Sequence, residues 1–421
     1  MGKPVFFNFR GAIAVVALAI VGAVSPTDPA KANTPTATVV EIEQAFDYAM
    51  AALNAGQPRI AIPVLQAILA DNPKLVRVRL ELARAYFMAE QWARSREEFF
   101  RVLSGDLPEP VRETVLAFIR QIDARRGFEW DLSIGFTTAG NTRSYDSEDI
   151  ELDVNGVVLP FTYDRPVEHV PALKASGAMN FRRQIGGLSG ASANTVGFAS
   201  FGFDVLEAEG RAYDDLQLRG RLGLRLLSNK TTASVAAFAN TRVLAGEHYE
   251  DAFGLEVLGE RRSLIGGSAY GRLSFAQIDN HVSSGLDGSQ LKGLVGFRRS
   301  VGGRAVLGTE LAYERRNTDT ASFAFQSLEW SVYSTIDVKN GWTFRPRLFV
   351  RHKDFLNPSA AFQADRDEMI YGGSLRIERS DLFIAGAYTP YLQIDAERGR
   401  SDIAAFSYRS VGVQFGVERR F

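Results

Sequence analysis

Few residues in this chain carry chemistry by type and spacing. The four histidines, His169, His248, His281 and His352, are scattered, and no two stand at a metal-ligand spacing. The first three fall in segments read as outer loops. His352, beside Lys353 at a strand end, reads as an interfacial residue rather than a base. Asp365, Asp367 and Glu368, with Arg366 between them, form an acidic cluster that reads as a solvated loop, with bound cations as the alternative. The chain has no cysteine, which excludes disulfides, thiol catalysis and thiolate metal ligation. It has no G-x-S-x-G elbow and no glycine-rich phosphate loop leading into a helix. The expectation is therefore no catalytic residue, no metal and no cofactor: a protein that is not an enzyme. A net charge of −1 offers nothing in bulk to nucleic acid.

Two groups of arginines do have a pattern. Arg219, Arg221 and Arg225 alternate with Leu218, Leu222, Leu224 and Leu226, and Arg345, Arg347 and Arg351 alternate with Phe344, Leu348 and Val350. On the same register Arg182, Arg298 and Arg376 face the polar side, together with Glu310, Glu314, Glu329, Asp337, Glu378 and Glu418. A polar face of mixed charge has two readings. It is a lumen lining for an acidic or unfolded polypeptide, or it is a ladder of charges that satisfy one another across strands.

Strands must position these side chains. From Glu129 to the end the text alternates with a period of two. About 14 strands are expected, near 129–136, 173–185, 195–206, 215–228, 231–245, 253–262, 267–279, 289–299, 304–316, 326–337, 341–352, 368–378, 382–395 and 406–421. Tight turns such as Ser228-Asn229-Lys230, Val301-Gly302-Gly303, Lys339-Asn340-Gly341 and Arg379-Ser380-Asp381 alternate with longer polar loops at 137–172, 207–214, 246–252, 280–288, 317–325, 353–367 and 396–405. Short turns on one side and long loops on the other mark an outer-membrane barrel, with the short turns periplasmic. Gly186–Asn194 is a longish turn where a short one is expected, and Pro346 and Pro390 inside strands suggest bulges there. In the last strand Val411, Val413, Phe415, Val417 and Phe421 share one face, which reads as the signal for the barrel-insertion machinery. Arg419 interrupts that face close enough to the end to snorkel.

The front of the chain follows a helical grammar. Residues 1–32 read as a signal peptide: Lys3 and Arg10, then an apolar run from Gly11 to Val24, then Ala30-Lys31-Ala32 as a cleavage site. Residues 33–126 carry a repeat at an offset of 34, pairing Ala49 with Ala83, Gln57 with Gln91, Ala61 with Ser95, Leu65 with Phe99 and Leu69 with Leu103. Ala49, Gly56, Ala61 and Leu65 in the first copy, and Ala83, Tyr86 and Phe99 in the second, occupy the packing and turn positions of a tetratricopeptide repeat. Glu90 replaces the turn glycine of the second copy, and Pro110–Arg125 reads as a capping helix. A concave peptide-holding surface and a generic helical plug are both open readings. The expected fold is thus a short periplasmic tetratricopeptide-type α-helical domain, then a 14-stranded antiparallel transmembrane β-barrel over 127–421.

In this order of parts the chain resembles the surface lipoprotein assembly modulator (Slam) family. The local likeness lies in Arg79-Leu80-Glu81-Leu82-Ala83-Arg84-Ala85, Phe99-Phe100-Arg101-Val102-Leu103, Ile122-Asp123-Ala124-Arg125-Arg126 and the terminal Glu418-Arg419-Arg420-Phe421. The resemblance implies a translocator in the outer membrane of a Gram-negative bacterium that delivers a client lipoprotein or secreted protein to the cell surface. Its partners would be that client, the barrel-insertion machinery, and outer-membrane lipid and lipopolysaccharide, with no nucleic acid. Two alternatives stand beside it: a porin-like channel or polysaccharide-export pore with a helical recruitment domain, and a structural outer-membrane anchor.

Overall fold

The computed structural model describes residues 39–420 apart from 104–106, 126, 148, 155–156, 163, 188–192, 229, 263–266, 303, 339–340, 360 and 380–387. The signal-peptide segment, Phe421, the Arg419 side chain and parts of several expected tight turns lie outside the described residues.

Five helices come first: α1 (Val39–Asn54), α2 (Pro58–Asp71), α3 (Val76–Met88), α4 (Trp92–Leu103) and α5 (Glu109–Arg125). The two copies of the repeat are α1–α2 and α3–α4. Each turn holds one residue in the left-handed region, Gly56 at φ +71° and Glu90 at φ +59°. Each also closes with the same hydrogen bond, Gln57 N–H to the Ala52 carbonyl and Gln91 N–H to the Tyr86 carbonyl, both at 2.9 Å. That six-to-one bond satisfies a carbonyl the ending helix would leave open. The second copy therefore keeps the turn geometry without the glycine, at a backbone cost of about 1 kcal/mol. Ala49, Ala61 and Ala83 have no exposed surface, so the helices approach closely there, while Leu65, Tyr86 and Phe99 fill the space between. Burying a side chain such as Leu65 or Phe99 contributes roughly 1.5–3 kcal/mol. Val115, Ile119 and Ile122 of α5 close the stack against Phe99 and Val102.

The strands are β1 (Phe128–Ala139), β2 (Arg143–Tyr145), β3 (Asp149–Val154), β4 (Val157–Thr162), β5 (Val170–Gly187), β6 (Ala193–Ala208), β7 (Asp215–Ser228), β8 (Thr231–Leu244), β9 (Glu247–Arg262), β10 (Gly267–Asn280), β11 (Gly288–Val301), β12 (Ala305–Thr318), β13 (Phe325–Val338), β14 (Trp342–Phe355), β15 (Asp367–Arg379), β16 (Thr389–Ser401) and β17 (Tyr408–Arg420). Fourteen of them, β1 and β5–β17, pair antiparallel in chain order, and β17 returns to β1 to close the barrel. Leu222, Leu224, Phe253, Leu255, Trp330 and Leu348 stand exposed on the outside. So large an apolar belt belongs in hydrocarbon, and closure leaves no unpaired edge there. This is an outer-membrane barrel.

Several expectations change, and the first six residues of the expected loop 396–405 belong to β16. The segment 246–252 is not a loop: β9 begins at Glu247, and Ala245 and Gly246, at φ +53° and +84°, make a two-residue turn. The ladder continues past the bilayer, where both faces are polar and the alternation that marks a strand fades. The long segment 137–172 holds β2 and the hairpin β3–β4. Bulges fall at Gln184/Gly186 and Arg242/Val243 rather than at the prolines. Pro346 pairs with Leu375 and leaves a gap in the ladder toward β13 with the register unchanged, and Pro390 is the second residue of β16.

Candidate functional site: the barrel interior, its helical mouth and its seam

The inner wall is built from the strand positions opposite the apolar belt. Arg219 meets Asp204; Arg221 and Arg272 both reach Glu256, at 3.5 Å each. Glu329 accepts from Arg347 at 2.9 Å and from Arg351 at 2.8 Å, and Arg345 lies 3.1 Å from Glu378. Arg225 stacks its guanidinium over the Phe198 ring, 4.8 Å from the centroid. Five of the six patterned arginines thus meet carboxylates of other strands, and the sixth meets an aromatic face. Cross-strand pairing holds long side chains against the wall, so the charges stay satisfied whether or not anything passes.

Tyrosines reinforce this wall where glycine leaves room. A Cβ on Gly308 would come within 2.2 Å of the Tyr333 ring, and one on Gly296 within 2.5 Å of Tyr270. The two phenols lie 2.9 Å apart, and Tyr270 donates to Glu310 at 2.6 Å. Missing side chains on the glycines are what let both rings lie across the strands.

The helices meet the barrel at the end where the short turns are, the periplasmic mouth. Asp337, near the end of β13, faces Arg101 of α4 at 3.0 Å and Arg79 of α3 at 3.7 Å. Arg101 also holds Glu97 and Glu98, at 2.8 and 2.9 Å. Arg79 donates to Glu98 at 2.7 Å and to the Pro73 carbonyl at 2.9 Å, and its side chain is only 5% exposed. One barrel carboxylate therefore completes a cluster that two helices begin. Farther round, the Phe100 ring lies 5.3 Å from the Arg262 guanidinium of β9. Gln66 donates to the Tyr86 phenol at 2.8 Å, and burial pushes that phenol well above its ordinary range, so it stays neutral. No sequence signal links Arg79 or Arg101 to Asp337, because their partnership depends on where the helices dock.

The seam between first and last strands is short. β1 pairs with β5 along its whole length, Phe128 to Ala139, but with β17 only from Asp131 to Phe136. Above that, Tyr408–Ser410 of β17 pair with β2 instead. Gly135 and Gly416 face each other across the seam, and the Tyr391 hydroxyl lies over Gly135, 3.0 Å from Ser133 Oγ. Val411, Val413 and Phe415 point outward and are exposed, Phe415 stacks on Phe136 at 5.5 Å, and Val417 is half-buried opposite Ile134.

The other singled-out groups are also placed. His352 reaches Asp367 at 2.6 Å. Arg366 takes Glu368 and lies over the Phe406 ring at 3.5 Å, so the acidic cluster carries its own cations. His248 and His281, far apart in sequence, stack 4.0 Å apart beside Asp251. Sequence spacing concealed this group, because the hairpin register creates it.

A tetratricopeptide-repeat family profile matches residues 52–109. A surface lipoprotein assembly modifier of Moraxella catarrhalis is 24% identical over 245 residues, covering 58% of this chain and 46% of the relative, so the chain spans about half of that protein's length. Among solved structures, the outer membrane channel DcaP of Acinetobacter baumannii aligns with a TM-score of 0.39 and 11% identity, over 70% of this chain and 98% of that one. OccK5 of Pseudomonas aeruginosa aligns at 0.34 and 12%, over 70% and 99%.

Proposed function

We propose that this outer-membrane protein is a translocator that delivers specific lipoproteins or secreted proteins to the cell surface. The observation that carries the reading is the joint at Asp337, which couples a tetratricopeptide-type repeat directly to the mouth of a closed barrel. Such a repeat offers a surface for a polypeptide, and its docking at the mouth places a held client at the entrance. Similarity to a relative named for surface lipoprotein assembly supports the client class. The route is through the interior or along the short β1–β17 seam. The step is binding and passage with no covalent chemistry, driven by folding or capture outside. The helical domain, taken as 33–126, stands in the periplasm, and the terminal face of Val411, Val413, Phe415, Val417 and Phe421 serves the insertion machinery.

The test compares the surface proteome of intact cells with and without the gene, using a membrane-impermeant label. The expected result is loss of one or a few proteins from the surface while their total amounts are unchanged. An unchanged surface with altered small-solute permeability would overturn the reading in favour of a pore, and an unchanged surface with unchanged permeability would favour an anchor.

A further inference from the structure

The outer rim of β8, β9 and β10 carries a group of donors that the translocation reading does not use. Asp251 lies two residues before the lipid-facing Phe253 and shares its face. Thr241 and Asp279 stand directly opposite Asp251 on the two neighbouring strands. The bulge at Arg242/Val243 pairs Val243 with His248 and so steps His248 back onto this face. His281 follows the end of β10, and its backbone N–H donates to the Tyr249 carbonyl at 2.9 Å. The adjoining Asn280 carboxamide oxygen accepts from the N–H groups of Val282 and Ser283, which fixes the loop that presents His281.

Three donor atoms converge there. His248 Nε2 lies 3.0 Å from one oxygen of Asp251, and His281 Nε2 lies 3.1 Å from the other. The imidazole rings are stacked, with centroids 4.0 Å apart and planes 25° apart, so both Nε2 atoms face the same carboxylate. All three donors lie within 4.8 Å of one another. Tetrahedral coordination at zinc-type bond lengths sets its ligands roughly 3.4 Å apart, within reach of small side-chain rotations here. Two imidazoles and a carboxylate suit a borderline divalent ion such as zinc, copper or nickel, and suit calcium or magnesium poorly.

We propose that His248, His281 and Asp251 form a divalent transition-metal site on the outer rim of the barrel. The ion takes the position the shared protons hold between the Nε2 atoms and the carboxylate. Thr241 and Asp279 flank it, and at least one coordination position stays open to water or to an anionic oxygen at the cell surface. Bound there, the ion ties the β8–β9 turn to the β10–β11 connection.

The experiment uses the purified full-length protein in detergent, titrated with Co²⁺ alone. One equivalent should bind with the intense visible bands of low-coordinate cobalt, and Zn²⁺ should displace it. His281→Gln and His248→Gln should each weaken binding at least about ten-fold. Heat-modifiable migration on gels checks that each variant still holds the barrel, and Asp251→Asn serves as a third variant should either glutamine protein fail that check. A pale spectrum like that of aqueous cobalt, or affinity unchanged in the folded variants, would overturn the proposal and leave the group as histidine–aspartate hydrogen bonds only.

Discussion

Single residues in this molecule act mainly by allowing contacts between strands. Gly308 contributes no side chain, and for that reason Tyr333 can lie across it and reach Tyr270. Gly308→Val would drive a branched carbon into the ring and separate the two phenols. The expected cost is about 1–3 kcal/mol, read as a lower temperature for the heat-modifiable shift on gels, with Gly308→Ala intermediate. No change in that temperature would mean the tyrosine pair contributes nothing to the wall. The arginines work in the opposite sense. Five of the six reach a carboxylate on another strand and Arg225 lies over the Phe198 ring, so the pattern that suggests a cationic lining becomes a web of contacts once the wall is closed.

At the scale of elements, the seam stands apart. Every other neighbouring pair of barrel strands shares a longer ladder than β1 and β17 do. A short ladder, two facing glycines and the diversion of upper β17 to β2 make this the easiest place for the sheet to part. The chain has no native cysteine, so an Ile134→Cys, Val417→Cys pair can lock the seam cleanly. If clients leave sideways, oxidation should abolish surface display and reduction should restore it, scored by labelling intact cells. Display that persists when the seam is locked would route the client through the interior.

For the whole molecule, the joint between helices and barrel decides whether the mouth is covered. Asp337 is the barrel's charged contribution to the cluster around Arg79 and Arg101. Asp337→Asn removes that carboxylate's charge from both guanidiniums and should weaken docking by about 1.5–3 kcal/mol. Ten-fold faster proteolysis within the helices and a larger single-channel conductance in planar bilayers are the expected readouts. Conductance and cleavage equal to those of the unaltered protein would show that the helices are held by other contacts, such as Phe100 with Arg262.

Much of this architecture was legible along the chain. The repeat showed because tetratricopeptide packing recurs every 34 residues, so Ala49 and Ala83, or Leu65 and Phe99, return to equivalent places. The fourteen barrel strands showed because lipid outside and a polar interior force a period of two on each crossing. Both signals are local, and local periodicity survives in one dimension. The extracellular ends of the strands were not legible, since beyond the bilayer the ladder continues while the alternation lapses, as it does from Glu247 to Asp251. Nor were the meetings of residues far apart: Asp337 with Arg79 and Arg101, Gly135 with Gly416, and His248 with His281. Those depend on register, closure and docking, which are set by the summed pairing and packing of whole elements and leave no mark at any single stretch of the sequence.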